Sequence, residues 1–187
     1  SEMGIRGRSL AVPTPVLCAY AGFAFVGAVV YHFVADGEIS ATLTISALAQ
    51  CLGVTLLCVQ SISSGSSAGI SAKSLVLDAV AICLRLSSTL WLEGYLPADR
   101  SGDYLYQTFD VCSLLLILFL LHRVLVVQRG TYESSEDALS ISPLVLASLA
   151  LAALLHGDMD VRPLFDTLWM AGLFTGVVAV VPQMWLI

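Results

Sequence analysis

The sequence predicts an all-α fold, a polytopic transmembrane helical bundle with about six membrane helices. Of its 187 residues, 58% are hydrophobic and only 12% are charged, against roughly a quarter charged in a soluble domain. The mean hydropathy is +0.90. The apolar residues gather into six runs, roughly 12–34, 40–62, 74–97, 104–128, 140–156 and 163–187, each at or near the ~20 residues that cross a hydrocarbon core. None of the runs alternates polar with apolar residues, which argues against a β-barrel. A chain in lipid must then satisfy its backbone hydrogen bonds within helices.

The first run follows Arg6 and Arg8, as the core of a signal peptide would. It is long, however, opens on Pro13 and Pro15, and reaches Tyr31-His32-Phe33 without the small residues of a cleavage site. Residues 1–39 therefore read as an N-terminal segment with an extra, retained membrane helix, ahead of a bundle over 40–187. The third run follows the polar turn at 63–73 and carries Arg85 about eleven residues from either end, some 16 Å from each interface at ~1.5 Å per residue. The fourth run carries Asp110 about two turns in. The fifth is short for a span, so it is tilted or shielded by its neighbours. The sixth begins with Asp166 one turn in, continues with a Gly172-x-x-x-Gly176 spacing that permits close helix approach, and contains Pro182, which lacks an N–H and loosens a helix.

With six spans, the N-terminus shares a side with the turns at 63–73 and 128–139. That side holds Arg6, Arg8, Lys73, Arg123 and Arg129. The opposite side holds Arg100 and Arg162 among Asp36, Glu38, Asp99, Asp103, Asp158 and Asp160. Cationic loops stay in the cytosol, so the acidic loops are expected in a lumen or outside.

An arginine deep in an apolar run must be paired or must line a wet cavity. Glu93 lies eight residues beyond Arg85 on roughly the same face, Ser88 lies between them, and Asp110 and Asp166 sit toward the luminal ends of their own runs. The expectation is a polar cavity open to the lumen, with one deep cation and acidic groups above it. A guanidinium fork there holds a carboxylate through two parallel hydrogen bonds. The equally weighted alternative is an internal Arg–Asp pair that only locks helices together. Trp91, Tyr95 and Trp169 read first as an aromatic belt at that interface.

The formal net charge of −6 argues against a nucleic-acid partner. The five cysteines, Cys18, Cys51, Cys58, Cys83 and Cys112, all lie inside apolar runs without metal-ligand spacing, and read as small apolar fillers. The histidines, His32, His122 and His156, fall at helix ends. The sequence offers no metal cluster, no phosphate-binding glycine loop and no Ser/His/Asp set. No cofactor and no enzymatic activity are expected.

Three passages resemble the KDEL receptor family, the ER-lumen-protein retaining receptors, seven-helix proteins with kinship to PQ-loop and SWEET transporters. Ser67-Ala68-Gly69-Ile70-Ser71-Ala72-Lys73-Ser74 is similar to the family's CAGISGKS turn, with Arg85 at the position of a ligand-binding arginine. Thr131-Tyr132-Glu133-Ser134-Ser135-Glu136-Asp137 is similar to its TYDGNHD loop. Pro163-Leu164, Asp166, Trp169, Phe174 and Pro182-Gln183 fall where the family has PLE, a tryptophan, an aromatic and PQ. The resemblance spans about 40–187. It implies a receptor that captures the C-terminal retrieval signal of escaped luminal proteins in the acidic Golgi and returns them to the ER. Arg85 would hold the peptide carboxylate, Asp166 would contact the peptide, and Trp169 would shape the wall. Ser88, Glu93, Asp110 and Phe174 are further candidate lining residues.

The chain departs from the family pattern at named positions. Ser88 replaces a cavity aspartate, Leu86 an aromatic, and Gly176 a glutamate. Leu43 and Gln50 stand approximately where the family's first helix has an arginine and a histidine. The sequence stops at Ile187, before the family's last two helices. Three functions follow. The first is a KDEL-receptor-like protein of the ER and Golgi membrane, whose partners are luminal C-terminal peptides and membrane lipid. The second is a non-catalytic accessory subunit of a large membrane complex, for example in an organellar inner or thylakoid membrane, with other membrane subunits as partners. The third is a PQ-loop-type small-solute transporter, for which no convincing internal repeat is visible.

Overall fold

The computed structural model describes residues 39–90, 103–155 and 163–186, together with the isolated helical positions 21, 25 and 28. Apart from those three positions the expected first span lies outside the described residues, as do Trp91, Glu93 and Tyr95. Helices α1 (Ile39–Ser64), α2 (Ala72–Thr89), α3 (Asp103–His122), α4 (Ile141–Leu155), α5 (Pro163–Val178) and α6 (Val180–Leu186) follow one another. A π-helical turn, Arg123–Val127, closes α3, and a 3-10 turn follows at Arg129–Thr131. Among the described residues there is no strand, so the all-helical expectation holds.

Helix α2 is central. It packs on α3 and α5, while α1 packs on α3 and α4 packs on α5. The stretches Leu43–Ser64, Tyr104–Val127 and Pro163–Leu186 are long and apolar enough to cross a bilayer, and Ile141–Leu155 is a shorter apolar helix. Outward residues such as Leu115, Leu118, Leu146, Leu154, Val177 and Met184 are exposed. Such a surface is ordinary in lipid and would be an adhesive patch in water.

Of the third expected span, 74–97, the structure describes residues 74–90. Its helix ends at Thr89, where the Leu90 N–H donates to Leu86 O. Arg85 is therefore thirteen residues from the first residue of α2 but only four, about 6 Å, from its last. The helix carries Lys73, Asp78 and Arg85 within 18 residues. Positions 74, 78, 81, 85 and 88 share one face at helical spacing, and Ser74, Ala81, Arg85 and Ser88 on that face are buried. A helix surrounded by protein need not be apolar all round, which is why the central helix is less apolar than its neighbours.

Two local breaks follow from residue chemistry. Pro182 cannot donate to Val178 O, and its ring crowds that carbonyl. The last run accordingly divides at Ala179 into α5 and α6. Ser74 Oγ donates to the Ala179 carbonyl at 2.6 Å and stabilises the break from α2. On α5, a Cβ at Gly172 would lie 2.8 Å from Ala81 O and 2.8 Å from Arg85 Cγ, whereas one at Gly176 would meet only Ala81 Cβ at 3.8 Å. The absent side chain at Gly172 is what lets α5 approach α2 at the level of Arg85.

Candidate ligand-binding site

Arg85 is 8% exposed and Asp110 is fully buried. Their side chains meet edge on. Nη2 of Arg85 donates to Oδ1 of Asp110 at 2.7 Å, and Nε donates to Oδ2 at 3.1 Å. Nη2 also donates to Oε1 of Gln50, on α1, at 2.9 Å. The Tyr106 ring, one turn before Asp110 on α3, lies 6.0 Å from the Arg85 Cζ. Removing two charges from water is costly, and good bidentate geometry with extra hydrogen bonds is what offsets that cost. Among the described residues Nη1 makes no hydrogen bond, and 10% of the Arg85 side chain remains accessible. Among the described residues, one end of the fork is thus left without an acceptor.

Helix α5 supplies the opposite wall. Gly172 touches Arg85; Trp169 and Asp166 lie on the preceding turns, 5% and 0% exposed. Trp169 packs against Phe165 and against Leu43 of α1, so it is an interior wall and not a lipid-facing belt residue. Ser88 is buried and donates from Oγ to Phe165 O at 3.0 Å. It therefore joins the end of α2 to the first turn of α5. Phe174 is half-buried and lies about 160° around α5 from Gly172 at ~100° per residue, away from this cluster. Glu93 lies outside the described residues.

Sequence reasoning passes over three participants. Gln50 is matched in the sequence only to a family histidine, without a partner, yet it completes the coordination of Arg85. Tyr106, to which the sequence assigns no role, is placed by α3 over the guanidinium. Asp78 stands seven residues before Arg85 and hence on its face, a signal that was available. Leu43 and Gln50, the positions matched to the family's first-helix arginine and histidine, do reach the site, one on Trp169 and the other on Arg85.

At the far end of α2 three separated passages converge. The turn after α1 reverses at Gly69, whose φ of 76° suits glycine. Gln183 clamps that turn: its Nε2 donates to Gly69 O at 2.7 Å, and its Oε1 accepts from Ser71 N at 2.9 Å. Ser71 caps α2, its Oγ accepting from Ser74 N at 3.0 Å. The same hydroxyl donates to Oδ1 of Asp137 at 2.9 Å. Oδ2 of Asp137 accepts from Lys73 N at 3.1 Å and from Tyr132 OH at 2.7 Å. Ser67 N donates to Thr131 Oγ1 at 2.9 Å. The CAGISGKS-like turn, the TYDGNHD-like loop and the PQ pair thus form one hydrogen-bonded unit.

That unit lies within residues 66–187, which match the family model described as ER lumen protein retaining receptor. The chain belongs to the ER lumen protein retaining receptor family. Among curated proteins no individual sequence matches it. Membership makes this an integral membrane protein of receptor type, in keeping with its apolar helices. Helix α1 precedes the matched residues, but through Gln50 and Leu43 it contributes to the cluster around Arg85 and Trp169. Outside the bilayer the loop is electrostatically distinctive: burial, and after it the hydrogen bond and charge of Asp137, push the Tyr132 phenol above its ordinary pKa.

Proposed function

We propose that this receptor-family protein recognises the C-terminal carboxylate of luminal proteins at Arg85 and serves their retrieval to the ER. The observation that carries the reading is the coordination of Arg85. Asp110 holds one edge of the guanidinium, while Nη1 makes no hydrogen bond with the described residues. A peptide carboxylate arriving at that end would meet a charged donor already fixed by Asp110 and Gln50, and preorganisation lowers the cost of binding. Asp166 and Trp169 on α5 are the groups that would meet the residues preceding the carboxylate.

A second reading has one observation in its favour: Arg85 already has an internal counter-ion. In an accessory subunit of a membrane complex, the Arg85–Asp110 pair would serve only to lock α2 against α3.

Peptide titration separates the two. A peptide ending in KDEL and its C-terminally amidated form are titrated against the full chain in lipid nanodiscs, at acidic and at neutral pH. The receptor reading expects the free acid to bind, the amide to bind far more weakly, and Arg85→Gln to remove the difference. Equal binding of acid and amide, or none from a folded sample, would leave the accessory-subunit reading.

A further inference from the structure

We propose that the cavity between α1, α2 and α6 binds a small organic ammonium ion against the carboxylate of Asp78. The cavity, about 320 Å³, lies on the turn side of Arg85 and is lined by Asp78, Gln50, Ser74 and Gln183, with Val54 and Leu57 forming apolar wall. That volume is in the range of small-molecule sites, roughly 300–1,000 Å³.

Charge selects the class of ligand. Apart from Asp103 at the first position of α3, the carboxylates on the described helices are those of Asp78, Asp110 and Asp166, and Asp110 takes the ion pair with Arg85. Asp78 is half-buried, and among the described residues it makes neither a hydrogen bond nor an ion pair. No lysine, arginine or histidine lines its cavity. The neighbouring polar groups are committed elsewhere. Ser74 donates to Ala179 O, Gln183 is engaged at both ends with the turn, and Gln50 Oε1 accepts from Arg85. Arg85, farther along the same face of α2, acts on Asp78 electrostatically but is bonded to Asp110 and Gln50; a carboxylate within a membrane bundle, facing a cavity that no cation of the described residues lines, is complemented by a cation from outside.

Size and donor set narrow the class. Hard divalent ions take several oxygen ligands, and among the described residues no group of three or more His, Cys, Asp or Glu gathers to hold a metal. The wall formed by Val54 and Leu57 offers carbon instead of oxygen. An alkylammonium satisfies both halves, with its charged nitrogen on Asp78 and its chain on the apolar wall. Gln50 borders this cavity and also bonds Arg85, so occupancy here is one amide away from the site above. The inference does not rest on the carboxylate-binding role proposed for Arg85.

The test uses the full chain in lipid nanodiscs with n-butylammonium chloride as the probe, n-butanol as the neutral isostere and sodium chloride at matched ionic strength. Binding is read by calorimetry and by the ligand-dependent rise in Tm. The expected result is saturable binding of n-butylammonium, no saturable effect of butanol or sodium chloride, and a loss of about tenfold or more in affinity for Asp78→Asn, equivalent to ~1.4 kcal/mol or above. Gly53→Leu is the second variant. Gly53 lines the cavity and a Cβ there meets nothing within 4 Å, so the new side chain fills the space while Asp78 stays; it too should abolish binding. Butanol matching n-butylammonium, or undiminished binding by either folded variant, overturns the proposal. So does a folded wild type that shows no saturable binding of the amine; a lower Tm of ligand-free Asp78→Asn would then show that Asp78 is paired with a cation of the chain itself.

Discussion

Asp110 presents both carboxylate oxygens to one edge of the Arg85 guanidinium, at 2.7 and 3.1 Å, across the interface of α3 with α2. Removing one partner of such a buried pair leaves the other uncompensated, at a cost of about 3–5 kcal/mol, whereas apolar replacement of both is often near neutral. Asp110→Ala is therefore expected to lower stability by about that amount, and Arg85→Met with Asp110→Leu to recover most of it. Thermal or denaturant unfolding in nanodiscs checks both. A single variant as stable as the wild type would mean that the pair does not hold α2 to α3.

The same geometry bears on ligand affinity. A peptide carboxylate at Arg85 shares the guanidinium with Asp110, and two like charges on one cation repel. Asp110→Asn keeps an acceptor oxygen and removes the charge. At neutral pH this variant is expected to bind the free-acid peptide more tightly than the wild type, by about tenfold, with the amidated peptide unchanged. Equal affinities would place the peptide carboxylate elsewhere.

Gly172 sets the distance between α5 and α2. An added Cβ would stand 2.8 Å from the Ala81 carbonyl oxygen and 2.8 Å from Arg85 Cγ. Backbone cannot yield as a flexible side chain can, so Gly172→Ala is expected to cost about 1–3 kcal/mol. Gly176→Ala, with its nearest contact at 3.8 Å, should be tolerated. Unfolding of the two variants side by side gives the comparison. A benign Gly172→Ala would show that the helices separate freely.

The apolar runs and the buried arginine are legible in the chain because lipid imposes length and helicity on any span. Pro182 and the glycine spacing also announce their effects locally. The identity of the Arg85 partner is not legible. Asp110, Asp166 and Glu93 offer equal chemistry, and only the packing of α3 against α2 selects Asp110. Asp137 shows a further limit. In the sequence it is one acid among several in an exposed loop, yet it is 1% exposed, since three donors from two segments close over it.

Asp137 accepts hydrogen bonds from Ser71 Oγ, Lys73 N and Tyr132 OH, two of them at the N-terminus of α2, where a carboxylate also meets the positive end of the helix dipole. Hydrogen bonds to charged groups contribute roughly 1.5–3 kcal/mol each, and not additively. Asp137→Ala is expected to destabilise by about 3 kcal/mol or more and to expose the Lys73 amide to hydrogen exchange, while Arg85 and its partner stay in place. Unchanged protection of that amide would show that the cap survives without the carboxylate.

Tyr132 gives the loop a pH dependence with a definite sign. Its phenol is held above the ordinary tyrosine value of about 10, first by burial and then by Asp137. Above that pH the unfolded chain has lost the proton that the folded chain still holds, so the unfolded state binds fewer protons and stability falls as pH rises. The contribution is complete below about pH 10 and is lost progressively above it. Tyr132→Phe removes the donor and the titration together. It is expected to lower stability by about 1 kcal/mol at neutral pH and to flatten the decline in Tm above about pH 10. Melting curves of the two proteins across that range decide the matter. Parallel curves would show that the phenol titrates freely in the folded protein and that Asp137 holds the turn through Ser71 and Lys73 alone.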